Sequence, residues 1–178
     1  MGKTSRHGIP SSEWQQMEII VFDFDGTLFD LGAKWSNLTD SNREEIEYLA
    51  AGKRTIDPRI VAGIKDIQTQ YHVAIYSKNL VSTIKGVLER SGLTDIFIAG
   101  RDNTANLKPH PDGLTLIEIF YGSKIKFIVG DSLADVQAAR TFGCPVAIVY
   151  NPKLDFTPEG ADSYLEELFP YEQYDTNI

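Results

Sequence analysis

Cysteine is almost absent from this 178-residue chain. The single Cys144 excludes an internal disulfide and a cysteine-built zinc centre and points to a reducing compartment, so a cytoplasmic protein is expected. Positive charge is scarce as well, with 17 Lys and Arg against 25 Asp and Glu and a net charge of -8. Such a surface repels polyanions, so no nucleic-acid partner is expected. Long apolar runs are missing too. Residues 1–17 are polar and hold nothing of the length that a signal peptide or membrane helix needs, so no membrane partner is expected, and these residues read as a disordered leader. What remains is an ordinary globular composition, 42% hydrophobic and 24% charged. At this length one core buries roughly 70% of the surface the unfolded chain exposes, so a single domain is expected.

Short apolar runs recur along the chain: Ile19 to Phe22, Val73 to Tyr76, Ile96 to Ala99, Lys126 to Val129 and Val146 to Tyr150. Each reads as a strand buried on both faces. Between them lie helical segments. The first is opened by Asp57-Pro58 as N-cap and first helical residue, and Ile60, Val61, Ile64 and Ile67 follow at helical spacing. The second runs from near Val81 to Ser91-Gly92, the third over Pro111 to Phe120, and the fourth over Leu133 to Phe142 before Gly143. This β-α alternation implies a Rossmann-like three-layer α/β/α fold around a mainly parallel sheet of five strands. Ala161 to Leu168 reads as a last short strand or turn followed by a helix, and residues 171–178 as a loosely held tail. The core should span 18–170. Residues 28–56 are too long for a βα loop, so a small insertion is expected there, with one short amphipathic helix from Asp40 to Gly52.

In a doubly wound sheet, ligands bind beyond the carboxyl ends of the strands, so polar residues at those ends are the candidates. The first strand ends in Asp23 and Asp25, the second in Ser77, Lys78 and Asn79, and the fourth in Gly130-Asp131-Ser132 with Asp135 one helical turn on. Lys108 stands before the third helix. Asp23, Asp25, Asp131 and Asp135 would gather up to four carboxylates against Lys108 and Lys78, which makes sense around a hard divalent cation with oxygen ligands, and magnesium suits the set. With no His or Cys cluster, zinc does not. A carboxylate-held metal, a free carboxylate, a lysine and a hydroxyl are the parts phosphoryl transfer needs. Asp131 can also serve as a helix N-cap, His110 as a local cap, and Phe29, Trp35 and Tyr48 as packing residues of core or lid. Asp30 has no evident role.

The string Asp23-Phe24-Asp25-Gly26-Thr27-Leu28, then Ser77, then Lys108-Pro109-His110-Pro111, then Gly130-Asp131-Ser132-Leu133-Ala134-Asp135 resembles the four ordered motifs of the haloacid dehalogenase superfamily, above all its phosphoglycolate-phosphatase-type members. The resemblance covers residues 18–168. It implies a magnesium-dependent phosphatase that hydrolyses a phosphate monoester through an aspartyl phosphate. Asp23 would be the nucleophile, Asp25 the general acid and base, and Ser77 and Lys108 the groups on the phosphoryl oxygens. Gly26, Thr27 and Asn79 would contact substrate, and Asp23, Asp25, Asp131 and Asp135 would hold Mg2+, Asp25 through its carbonyl and Asp135 through water or by orienting Lys108. The second carboxylate, Asp25, favours phosphoryl chemistry over halide displacement.

Two departures stand out. The family usually places Asn directly after the Ser or Thr of its second motif, whereas Lys78 intervenes here before Asn79. Residues 28–56 offer only a minimal cap, and an open site suits a bulky phosphorylated substrate or a lid completed by a second copy of the chain. Two other readings use the same parts: a phosphotransferase or mutase, and a receiver-like phosphoacceptor domain that signals without turnover.

Overall fold

The computed structural model describes residues 16–30 and 52–170. All but the last two residues of the expected leader, the short helix from Asp40, Trp35, Tyr48 and the tail lie outside the described residues.

Within the described residues the chain runs β1 (Ile19–Phe22), α1 (Pro58–Ile67), β2 (His72–Tyr76), α2 (Val81–Arg90), β3 (Phe97–Ala99), α3 (Asp112–Tyr121), β4 (Ile125–Gly130), α4 (Leu133–Phe142), β5 (Val146–Val149) and β6 (Ser163–Leu165). All six strands pair in parallel, in the order β3-β2-β1-β4-β5-β6. The chain adds strands to one side of β1 and then crosses back to place β4 on the other. That reversal opens a crevice at the carboxyl ends of β1 and β4.

The alternating side chains of β1 explain the layers. Ile20 and Phe22 join Ile64, Ile84, Val87 and Leu88 of α1 and α2, while Ile19 and Val21 join Leu114, Ile117, Val136 and Ala139 of α3 and α4. Both faces are therefore covered, which accounts for a strand without a polar position. Burying each such side chain stabilises the fold by about 1.5–3 kcal/mol.

The helix boundaries follow from local chemistry. The Asp57 side chain accepts from the Arg59 N–H at 2.8 Å to cap α1, with Pro58 at its first position. The start of α2 takes its cap from a distant residue, as the Val81 N–H donates to Asp102 Oδ1 at 2.9 Å. Ser132 is the N-cap of α4, so the cap lies one residue beyond Asp131.

The sheet has a sixth strand, and the helix expected after it is not formed. Residues Ser163–Leu165 are all exposed and carry no apolar alternation, so β6 is held by pairing with β5 and by Arg140, whose guanidinium donates to the Gly160 carbonyl at 2.6 Å. Beyond it, Phe169 adopts a left-handed φ of 56° and its ring lies against Gly63 of α1, and Pro170 follows, which leaves no room for a helical turn. Cys144 is buried, and burial pushes its thiol up to about 11, which makes it inert.

Candidate functional site

The β1 strand ends in a tight turn. The Gly26 N–H donates to the Phe29 carbonyl at 2.8 Å, and the Leu28 and Phe29 N–H groups donate to the Phe24 carbonyl at 3.0 Å. Gly26 sits at φ +87°, and a Cβ there would overlap the Asp131 carboxylate and the Asn151 amide. What Gly26 brings to the site is therefore space, since its amide is committed to the turn. Phe24 and Phe29 stack with centroids 5.1 Å apart and anchor the turn in the core, so Phe29 packs inside.

This turn aims two carboxylates into the crevice. Asp23 accepts from the Lys108 ammonium at 2.5 Å, and the same nitrogen donates to Asp135 Oδ1 at 2.7 Å. All three residues are buried. Lys108 reaches this position from the loop before α3, across a cis Lys108–Pro109 bond. The Tyr76 hydroxyl ties that loop down by donating to the His110 carbonyl at 2.7 Å, and the Tyr76 ring lies beneath the Lys108 ammonium, 5.5 Å away. His110 itself pairs locally, with Nδ1 2.8 Å from the Asp112 carboxylate, and caps no helix end.

Asp135 is clamped at both oxygens. Its Oδ2 accepts from the Ser132 hydroxyl at 2.6 Å and the Ser132 N–H at 3.1 Å, leaving Oδ1 to Lys108. Gly130 is required beside it, because a Cβ there would overlap the Asp135 carboxyl. Asp131, also buried, accepts from Asn151 Nδ2 at 2.5 Å.

Asp25 stands apart from this cluster. It accepts from Asn79 Nδ2 at 3.1 Å, while Asn79 Oδ1 accepts from the Leu80 N–H at 2.7 Å. Ser77 is fully buried at the end of β2, and its hydroxyl accepts from the Asn79 N–H at 3.1 Å. Thr27 is buried, and its hydroxyl has no hydrogen-bond partner among the described residues. Lys78 is half-buried, and Asp30 pairs with Lys153 at the outer edge.

The site is short of positive charge. Carboxylate oxygens of Asp23, Asp131 and Asp135 lie within 4.8 Å of one another, and with one ammonium among three carboxylates an excess of two negative charges remains. Burial pushes the Asp23 carboxyl well above the ordinary carboxylate range, against the pull of Lys108, and Asp135 and Asp131 push the same way. Burial also raises Asp131, against the hydrogen bond from Asn151. Burial disfavours the charge on Lys108, yet the Asp135 and Asp23 carboxylates hold its pKa above the usual lysine range. A buried oxygen-only donor set with an uncompensated double negative charge fits a hard divalent cation.

Of the residues singled out in the sequence, Asp23, Lys108, Asp131 and Asp135 meet in one cluster, and Asp25, Ser77 and Asn79 form a second beside it. Asn151 was missed. The only sequence signal for it is its place at the carboxyl end of the fifth apolar run, where a lone Asn after a strand reads equally well as a turn residue.

The sequence pattern of the haloacid dehalogenase-like hydrolases matches residues 55–149, just over half of the chain. The first motif, with Asp23 and Asp25, lies ahead of that segment. The phosphoglycolate phosphatase of Escherichia coli (strain K12) is 43% identical over 56 residues, 30% of this chain and 22% of that enzyme. The chain thus matches less than a quarter of the length of this relative. Among solved structures, CbbY from Rhodobacter sphaeroides in complex with phosphate superposes with a TM-score of 0.66 at 17% identity, covering 85% of this chain and 95% of that one. The HAD-hydrolase YfnB from Bacillus subtilis bound to magnesium gives a TM-score of 0.60 at 17% identity, over 86% and 96% of the two chains. These two share the overall fold, and the family pattern over more than half of the chain makes the assignment: the chain belongs to the haloacid dehalogenase-like hydrolase family.

Proposed function

We propose that this protein is a magnesium-dependent phosphatase acting on a small phosphorylated molecule, with Asp23 as the nucleophile. The observation that carries this reading is the pairing at the end of β1. One carboxylate sits inside a charge-deficient cluster on Lys108, and a second, two residues on, is held separately by a neutral amide. That separation supplies a nucleophile and a proton carrier from one turn.

In this reading an Asp23 oxygen bonds to phosphorus as the bond from phosphorus to the ester oxygen breaks, leaving an acyl phosphate on Asp23. Asp25 gives its proton to the departing oxygen. It then takes a proton from the water that attacks phosphorus, which frees Asp23 and releases phosphate. Lys108 and the Ser77 hydroxyl bind the phosphoryl oxygens, and Asp135 keeps Lys108 aimed at Asp23. Asn79 orients Asp25, a role that differs from the substrate contact implied by the family pattern and follows from where its amide points. A magnesium ion held by Asp23, Asp131 and the Asp25 carbonyl would neutralise charge on the phosphoryl group. The Escherichia coli relative is by name a phosphoglycolate phosphatase, and a small phosphorylated acid or sugar fits the same chemistry here.

The test is phosphate release from a panel of phosphate monoesters, with and without magnesium, in the native protein, Asp23→Asn and Asp25→Asn. Turnover that needs magnesium and falls by about 10⁴-fold or more in Asp23→Asn is expected. An acyl phosphate on Asp23 that persists without turnover would instead favour a phosphotransferase or phosphoacceptor.

A further inference from the structure

We infer that Asn151 is a positioning residue for the cation site, an inference that rests on the metal-dependent reading above. Asn151 follows β5 and is 8% exposed. Both ends of its amide are used. Nδ2 donates to Asp131 Oδ2 at 2.5 Å, and Oδ1 accepts from the Lys153 N–H at 3.0 Å. The second bond decides the first, because an amide whose oxygen is taken by a backbone N–H must turn its NH2 group the opposite way. The turn at residues 151–154, closed by the Leu154 N–H on the Asn151 carbonyl at 3.1 Å, therefore aims a donor at Asp131. Gly26 completes the arrangement. A Cβ there would overlap both partners, so its bare backbone lets the amide and the carboxylate meet.

This contact orients Asp131 without neutralising it. One oxygen of the carboxylate is engaged, yet the donor is uncharged, so the negative charge that a divalent cation needs is preserved. A lysine at 151 would offset that charge with one of its own, as the Lys108 ammonium does in part for Asp23 and Asp135. β5 thereby becomes the third strand, with β1 and β4, whose end shapes the cation site.

Calorimetric titration of metal-free protein with magnesium chloride reads this role without turnover. The dissociation constant for magnesium should rise about 10- to 100-fold in Asn151→Ala. The rise in melting temperature at a fixed magnesium concentration should shrink accordingly. KM for the phosphate ester at saturating magnesium should move less than about threefold, which separates metal positioning from a general loosening of the site. Asn151→Ser keeps a polar group in the turn but falls short of Asp131; it should behave like the alanine variant and replaces it if that variant does not fold. Native magnesium affinity in either folded variant overturns the inference, as does a native protein that binds no magnesium. Magnesium binding that weakens in Asn151→Ala, in a protein that hydrolyses no monoester, upholds the role of Asn151 while the phosphatase reading falls.

Discussion

On the β4 side of the crevice, Asp23, Asp131 and Asp135 share one ammonium and three neutral donors, and their negative charge exceeds what the protein supplies to balance it. On the β2 side, Asp25, Ser77 and Asn79 close a small network in which amide, hydroxyl and backbone groups satisfy one another. Two carboxylates on one turn thus enter opposite surroundings. In the reading proposed above, the unbalanced side would receive a cation and a phosphoryl group, and the balanced side would hold a proton carrier in place whether or not they are bound.

The difference is broken most sharply at Lys108. Lys108→Met strips the ammonium from two buried carboxylates, so the metal-free protein should lose about 3–5 kcal/mol of stability by denaturant unfolding. Added magnesium should recover part of that loss, and turnover should fall by about 10²-fold or more. On the balanced side the penalty is smaller. Asn79→Ala should lower kcat by about tenfold with little change in KM, because it frees Asp25 without touching the phosphoryl contacts.

A pH series sharpens the same comparison. Burial raises Asp23 and Asp131, so in metal-free protein the folded state keeps protons that the unfolded chain has released. Their contribution is most favourable below the ordinary carboxylate pKa of about 4 and becomes less favourable as pH rises through the raised folded values. Melting curves in chelator from pH 4 upward should show this decline in the native protein and less of it in Asp23→Asn, and magnesium should flatten it. The smallest effect belongs to a site outside the crevice. Asp57→Ala removes the α1 cap and should cost about 1 kcal/mol, or about 2–4 °C in Tm, with turnover unchanged.

Much of this was legible in the sequence because each buried strand is a run of apolar residues ended by a polar one. Asp23, Ser77 and Asp131 could be placed at one crevice from that rule alone, and the capping signals at Asp57 and Gly143 marked their helices within a residue. Asn79 and Asn151 were harder. What each does depends on where an amide points across the crevice, and that direction is set by the backbone bonds of Leu80 and Lys153, which leave no trace in spacing or composition. β6 was legible only as a short strand or turn, for the opposite reason: its three residues are exposed, so burial imposes no pattern on them. The helix expected after it was a misreading of apolar residues whose spacing serves a turn, with Phe169 reaching back to α1.

The place of β1 in the sheet also bears on how the protein is made. Its two neighbours are encoded far downstream, β2 beginning at His72 and β4 at Ile125. On a ribosome adding about 5–20 residues per second, the strand bearing Asp23 waits roughly 5–20 s for its second partner to be synthesised. For most of that wait neither Lys108 nor Asp131 has been made to stand beside the acidic turn. The nascent chain therefore holds no competent centre until most of its length has emerged, and its hydrophobic β1 edge is open to wrong partners in the interval.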